Sequence, residues 1–170
     1  DLPARRTAGL RSRRLRQAPG RVRTGPGAQP GAGARGGNRG IARAKVEALW
    51  EHLGDDYFLR ETFADVARHT EAILNHPENG GPLILLGKAD DRNYQGAAEV
   101  FVYTQDAPNL FAATVAALSQ LNLTIADAKI ITSTSNFSLD TYIIMEESGS
   151  HIGDDPARAQ QIVKKLQKAL

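Results

Sequence analysis

The sequence predicts an α+β protein, and three observations carry that prediction. Beyond residue 82, segments rich in β-branched and aromatic side chains alternate with segments whose apolar residues recur at helical spacing. Between residues 45 and 82 only the helical period is present. Before residue 41 neither period is found. A length of 170 residues fits one domain, or one domain with extensions.

Charge divides the chain in the same way. Residues 1–44 hold 11 Arg, no Lys and one acid, Asp1, for a local charge of +10. Residues 45–170 hold 10 Lys+Arg and 18 Asp+Glu, for −8, so the formal net charge of +2 describes neither part. With no cysteine there is no disulfide framework, thiol nucleophile or zinc–thiolate site, and a reducing compartment, the cytoplasm, is expected. Apolar runs such as Leu83–Leu86 are far too short to cross a bilayer, so no membrane association is expected.

Residues 1–44 contain nine Gly, four Pro and no aromatic residue, and apolar side chains larger than Ala are limited to Leu2, Leu10, Leu15, Val22 and Ile41. Such a segment buries too little surface to offset the entropy of ordering its backbone, and it is expected to be disordered. Three readings stand for it. The run Arg35-Gly36-Gly37-Asn38-Arg39-Gly40 resembles an RGG box, but no aromatic residues interleave for base stacking, so nucleic acid is not expected as a partner. An organellar transit peptide is opposed by the Gly and Pro content. Arg without Lys, alternating with Ala, Gly and Pro, is what GC-rich DNA yields when translated out of frame, and the composition favours this reading. Gly31-Ala32-Gly33-Ala34-Arg35-Gly36 satisfies G-x-G-x-x-G, but with neither strand before it nor helix after it the match is compositional.

Residues 45–97 read as a helical linker segment. Ala42, Val46, Leu49, Trp50 and Leu53 share one helix face, and Gly54 is the stop. Thr62 and Asp65 form a variant capping box for a second helix, whose face is Phe63, Val66, Ala67, Thr70, Ile73 and Leu74 and which ends at Asn75-His76-Pro77. The intervening Asp55–Arg60 reads as a linker whose aromatic pair, Tyr57 and Phe58, packs between the helices. Asp55 and Asp56 diverge as neighbours and serve as capping and solvating residues. Two helices of this size cover a neighbouring surface but make no core alone.

Residues 98–170 read as a mixed unit, with Leu83–Leu86 a short strand candidate before it and Lys88–Gln95 a polar turn. Glu99–Thr104 is a clear strand. Asp106 is the expected N-cap of the next helix, with Pro108 in its first turn and Leu110, Phe111, Val115, Leu118 and Leu121 on its apolar face. Thr124–Thr132 and Phe137–Met145 are strands joined by a turn at Ser133–Asn136. Asp155 and Pro156 start a last helix carrying Ala159, Ile162, Val163, Leu166 and Leu170. The order strand, helix, strand, strand, helix is the ferredoxin-like β-α-β-β-α-β arrangement with its last strand missing. One sheet edge is therefore expected to be open to a partner strand. The face carrying Asp127 and Lys129 is expected to be partly polar or shared.

Catalytic chemistry is not evident. His52, His69, His76 and His151 form no H-x-x-x-H pair and are expected at the surface or at helix ends, and no metal site is expected. Ser148-Gly149-Ser150 followed by Asp154-Asp155 lacks the two carboxylates on one strand face that a nucleotidyltransferase needs. The turn after the first clear strand remains, where backbone N–H groups at a helix start can receive a carboxylate.

Val100–Ala112, with Tyr103-Thr104-Gln105-Asp106-Ala107-Pro108-Asn109-Leu110 at its centre, resembles the opening of an ACT domain, and Asp127–Thr132 and Leu139–Ile143 continue the match. Tyr57-Phe58-Leu59-Arg60 and the helix through His69 to Leu74 resemble the segment joining an HD domain to tandem ACT domains. Together these stretches resemble the bifunctional PII uridylyltransferase/uridylyl-removing enzymes, over about residues 45–170. The resemblance implies a parent enzyme that attaches UMP to the nitrogen regulatory protein PII and removes it, with Mg2+. It also implies glutamine as the effector that sets the balance through the ACT domains. This chain would be the non-catalytic linker and a truncated first ACT domain, partnered by a second ACT domain. An ACT-type amino-acid-binding or interaction module of another regulatory protein is the alternative.

Effector contacts are expected from Asp106, Ala107, Pro108, Asn109 and Leu110, with Asn122 and Thr124 facing the same ligand. A glycine commonly occupies the position of Asn109 in such domains. Asn tolerates positive φ but adds a side chain, so weak or undetectable glutamine binding is expected of this chain alone, restored by the second ACT domain.

Overall fold

A computed structural model of the protein describes residues 36–89, 94–152 and 155–170. The expectations for residues 1–35, for the middle of the Lys88–Gln95 turn and for Asp154 lie outside the described residues. Helix α1 (Gly36–Leu53) begins inside the segment expected to be disordered. Pro30 is the last proline before Pro77, and the Ala, Arg, Lys and Glu content from Ala42 onward favours helix. An Arg43–Glu47 ion pair at 2.7 Å, one turn apart, adds to it.

Two further helices follow, α2 (Asp55–Arg60) and α3 (Phe63–Asn75). The expected linker is thus a helix. Its Tyr57 is fully buried, while Phe58 remains partly exposed, edge-on to Trp50 at 5.6 Å. Thr62 caps α3 as expected, accepting from the Asp65 N–H at 3.2 Å.

The remaining elements are β1 (Leu83–Lys88), β2 (Ala98–Gln105), α4 (Leu110–Ser119), β3 (Leu123–Lys129), β4 (Phe137–Glu146) and α5 (Pro156–Ala169). Asp155 caps α5 by accepting from the Ala157 N–H at 2.9 Å, with Pro156 at the first position. The four strands form one antiparallel sheet in the order β1-β2-β4-β3. From β2 onward this is the expected ferredoxin-like arrangement.

The expected vacancy at its edge is filled. β1 pairs antiparallel with β2 from Leu83↔Tyr103 to Lys88↔Ala98, in the place that the last strand of the β-α-β-β-α-β unit takes. The strand arrives from the N-terminal side because a short hairpin sets Leu83–Leu86 beside β2. Leu83–Lys88 therefore belongs to the sheet, and not to a helical linker.

Both sheet faces are covered. On one, Val100, Val102, Tyr142 and Ile144 pack with Ala117 and Leu118 of α4 and with Ile162 and Leu166 of α5. On the other, Phe101, Leu139 and Ile131 pack with Leu53 of α1, Tyr57 of α2 and Val66 and Ile73 of α3. A bulge between Ile125 and Asp127 shifts the register of β3. Beyond it Lys129 and Ile131 turn to the α1–α3 side, where Lys129 donates to the Arg60 carbonyl at 2.9 Å and Glu61 at 3.2 Å.

Candidate functional site

The chain leaves β2 at Gln105 and enters α4 at Leu110 through a tight turn. The Leu110 N–H donates to the Ala107 carbonyl at 3.2 Å, with Pro108 second and Asn109 third in the turn. Asn109 has φ 68° and ψ 13°. Proline followed by a residue of positive φ is the pattern of a type II turn. Asn109, and not Asp106, stands at the N-cap position, and its side chain makes no cap hydrogen bond. Asp106 lies one turn earlier because the Pro108 turn intervenes, and its N–H donates to the Asn136 carbonyl at 2.9 Å, tying the start of the turn to the β3–β4 connection.

Under this turn lies a cleft of about 190 Å³ lined by Asp106, Ala107, Asn109, Leu110, Phe111, Ile130, Thr132, Ser138 and Asp140. Its floor comes from β4. Ser138, Asp140 and Tyr142 alternate along the strand and so share one face. Asp140 is 1% exposed. It accepts from the Ser138 hydroxyl at 2.6 Å and from the Tyr142 hydroxyl at 3.1 Å. Burial pushes the Asp140 carboxyl above its ordinary value, against the two hydroxyls and the Ile131 amide. Burial, then the neighbouring Asp140, likewise raises the Tyr142 phenol, which keeps it protonated and donating.

The structure therefore brings together Asp106, Ala107, Pro108, Asn109 and Leu110. It does not bring Asn122 and Thr124 to them. Those residues sit at the opposite end of the sheet, where Thr124 pairs with Met145, whereas the turn adjoins Phe137 at the start of β4. The first strand after a β-α unit runs parallel to the strand before it, so its start lies at the far end and its end, Ile130 to Thr132, comes near the turn. Ser138 and Asp140 were missed as site residues. The signal for them is a polar pair at alternate positions on a strand face that is otherwise apolar.

A second polar cluster fastens α3 to the sheet. His69, expected near the surface, is completely buried, stacked on Phe101 with ring centroids 3.6 Å apart and sharing a 2.9 Å hydrogen bond with the Tyr57 hydroxyl. It lies on the α3 face that meets β2, between Val66 and Ile73. Burial, then the nearby Arg68, lowers its pKa to about 4. Arg68 pairs with Asp65 at 3.1 Å and with the buried Glu99. Burial raises Glu99, with Asp65 adding to the rise and Arg68 opposing it. Gly87 lies close by, and a Cβ on it would come within 2.6 Å of the Arg68 guanidinium, which would have to shift.

Among the described residues no group of three or more His, Asp or Glu side chains is placed to hold a metal ion. No helix of the described residues is long and apolar enough to cross a membrane.

Fold and cleft together define a ferredoxin-like α+β unit with a helical layer on its second face and a small acidic cleft at the β2–α4 turn. The family model described as "Uridylyltransferase GlnD fifth domain" matches residues 37–72, which span α1, α2 and most of α3. Over 125 residues, 74% of this chain, the sequence is 55% identical to the bifunctional uridylyltransferase/uridylyl-removing enzyme of Azotobacter vinelandii. Over the same length it is 56% identical to that of Ectopseudomonas mendocina and 53% identical to that of Stutzerimonas stutzeri. No solved structure matches. The chain belongs to the bifunctional uridylyltransferase/uridylyl-removing enzyme family, and spans 14% of the length of each of these relatives.

Proposed function

We propose that this chain is the effector-sensing, non-catalytic region of a cytoplasmic bifunctional enzyme that uridylylates PII and removes the uridylyl group. In this reading β2 to α5 form an ACT-type unit that takes glutamine at the β2–α4 turn. The observation that carries it is the Pro108–Asn109 turn, with its positive φ, over a cleft floored by the buried Asp140. A backbone turn at the start of a helix offers N–H groups to a carboxylate, and the cleft below offers a carboxylate to an ammonium group. The two ends of an α-amino acid are the ligand this pairing suits. In this reading metal-dependent uridylyl transfer and removal belong to other parts of the enzyme.

Asn109 adds a side chain where a closer approach of backbone to ligand is available to glycine. Binding by this chain alone is therefore weak, and a second ACT domain completes the site. Calorimetry tests this: glutamine added to the 170-residue chain gives little or no heat, while the same segment joined to the second ACT domain binds measurably. Tight binding by the short chain would refute the shared site, and no binding by either would refute glutamine as the effector.

A further inference from the structure

The cleft carries charge of one sign. Of its nine lining residues, Asp106 and Asp140 are acidic and none is Lys, Arg or His. Asp106 stands exposed at the rim, whereas Asp140 is buried at the floor. The side chains that donate to Asp140, Ser138 and Tyr142, are neutral hydroxyls. Hydroxyls satisfy the oxygens but leave the negative charge without a counter-charge, and a buried carboxylate in that state is stabilised by any cation that reaches it.

Among the described residues no group of three or more His, Asp or Glu side chains is placed to hold a divalent metal, which asks for several ligands. An ammonium group needs only acceptors for three N–H donors. Asp140 and Thr132 both line the cleft. Flanking them, Phe111 is 49% exposed and Ile130 44% exposed, large apolar surfaces that a folded chain leaves open beside a polar floor. The cleft thus suits a ligand with a cationic head and an uncharged body.

We infer that Asp140 receives the primary ammonium group of the ligand and sets the selectivity of the cleft, admitting amino acids with neutral side chains and rejecting acidic ones. This rests on the reading of the cleft as the effector site. A second carboxylate on the ligand meets Asp106 and Asp140 with no cation to offset it, so glutamate is disfavoured against glutamine. A ligand without the ammonium group leaves the Asp140 charge uncompensated.

The test is a ¹H–¹⁵N NMR titration of the 170-residue chain, following the amides of Asn109, Leu110 and Phe111, which registers binding too weak for calorimetry. The probes are glutamine, glutamate and 4-carbamoylbutyrate, which is glutamine without its amino group. Glutamine is expected to move these amides at concentrations roughly tenfold or more below either of the others, the size of one charge-assisted contact. In Asp140→Asn, which keeps the shape and the two hydroxyl partners, that advantage is expected to disappear. Equal response of the unaltered chain to glutamine and 4-carbamoylbutyrate overturns the inference and needs no variant to show it. Undiminished preference in a folded Asp140→Asn chain overturns it as well. If no probe moves these amides, the cleft of this chain takes no amino acid and the inference fails, while the proposed function is still decided by calorimetry on the segment joined to the second ACT domain.

Discussion

Asn109 shows how much one residue decides. Its φ of 68° lies in the left-handed region, which Asn reaches at moderate cost and Ala at about 1 kcal/mol more. Asn109→Ala should lower the unfolding free energy by about that amount in urea titration, and Asn109→Gly should leave it level or raise it by a few tenths. Equal stability of all three would show that the turn relaxes to negative φ. His69 makes a second point at this scale. Its pKa is about 4 in the fold against 6.5 for the free side chain. The unfolded chain therefore binds the extra proton between those values, and stability falls as pH drops from about 6.5 to about 4, then levels. The span corresponds to roughly 3 kcal/mol, partly offset at its acid end by Glu99, which burial pushes up and which favours the folded state on protonation. Denaturant titrations across this range should show the slope in the unaltered chain and lose it in His69→Phe. A slope that survives in the variant would assign the acid sensitivity elsewhere.

Elements behave differently from what their own sequences suggest. β1 is only six residues long, and by itself it reads as little more than an apolar run. Paired with β2 it closes the sheet edge and brings Ile84 into the core under α4 and α5. The α1–α3 layer has the same character. It covers Phe101, Leu139 and Ile131, three large apolar side chains that a bare sheet would present to water. Removing residues 1–80 should expose that face, and the shortened chain should self-associate and bind a hydrophobic dye, as light scattering and fluorescence would show. A monodisperse, cooperatively folding product would mean that the layer is dispensable.

At the scale of the whole molecule, two cores share one sheet, and long-range polar contacts hold the second. Lys129 reaches Glu61 and the Arg60 carbonyl, Thr141 donates to Glu61 at 3.1 Å, and the Thr134 N–H donates to the His52 carbonyl at 2.9 Å. These contacts tie the end of β3, the β3–β4 connection and β4 to the ends of α1 and α2. The same stretch, through Ile130 and Thr132, forms one wall of the acidic cleft. Cleft and helical layer are thus built on opposite sides of a single segment.

What the sequence determined by itself was local. Periodicity marked β2, β4, α3 and α5, and the caps at Thr62 and Asp155 were legible because capping needs only neighbours three residues apart or fewer. The resemblance carried by Val100–Ala112 placed the turn, although proline and Asn109 moved the helix start beyond Asp106. Tertiary structure alone decided which strand fills the sheet edge, which helices cover its second face, and that Asp140 floors the cleft while Asn122 and Thr124 lie at the far end. Each of these depends on pairing between residues distant along the chain. Strand order and a single bulge determine which side chains meet, and neither leaves a mark in local composition.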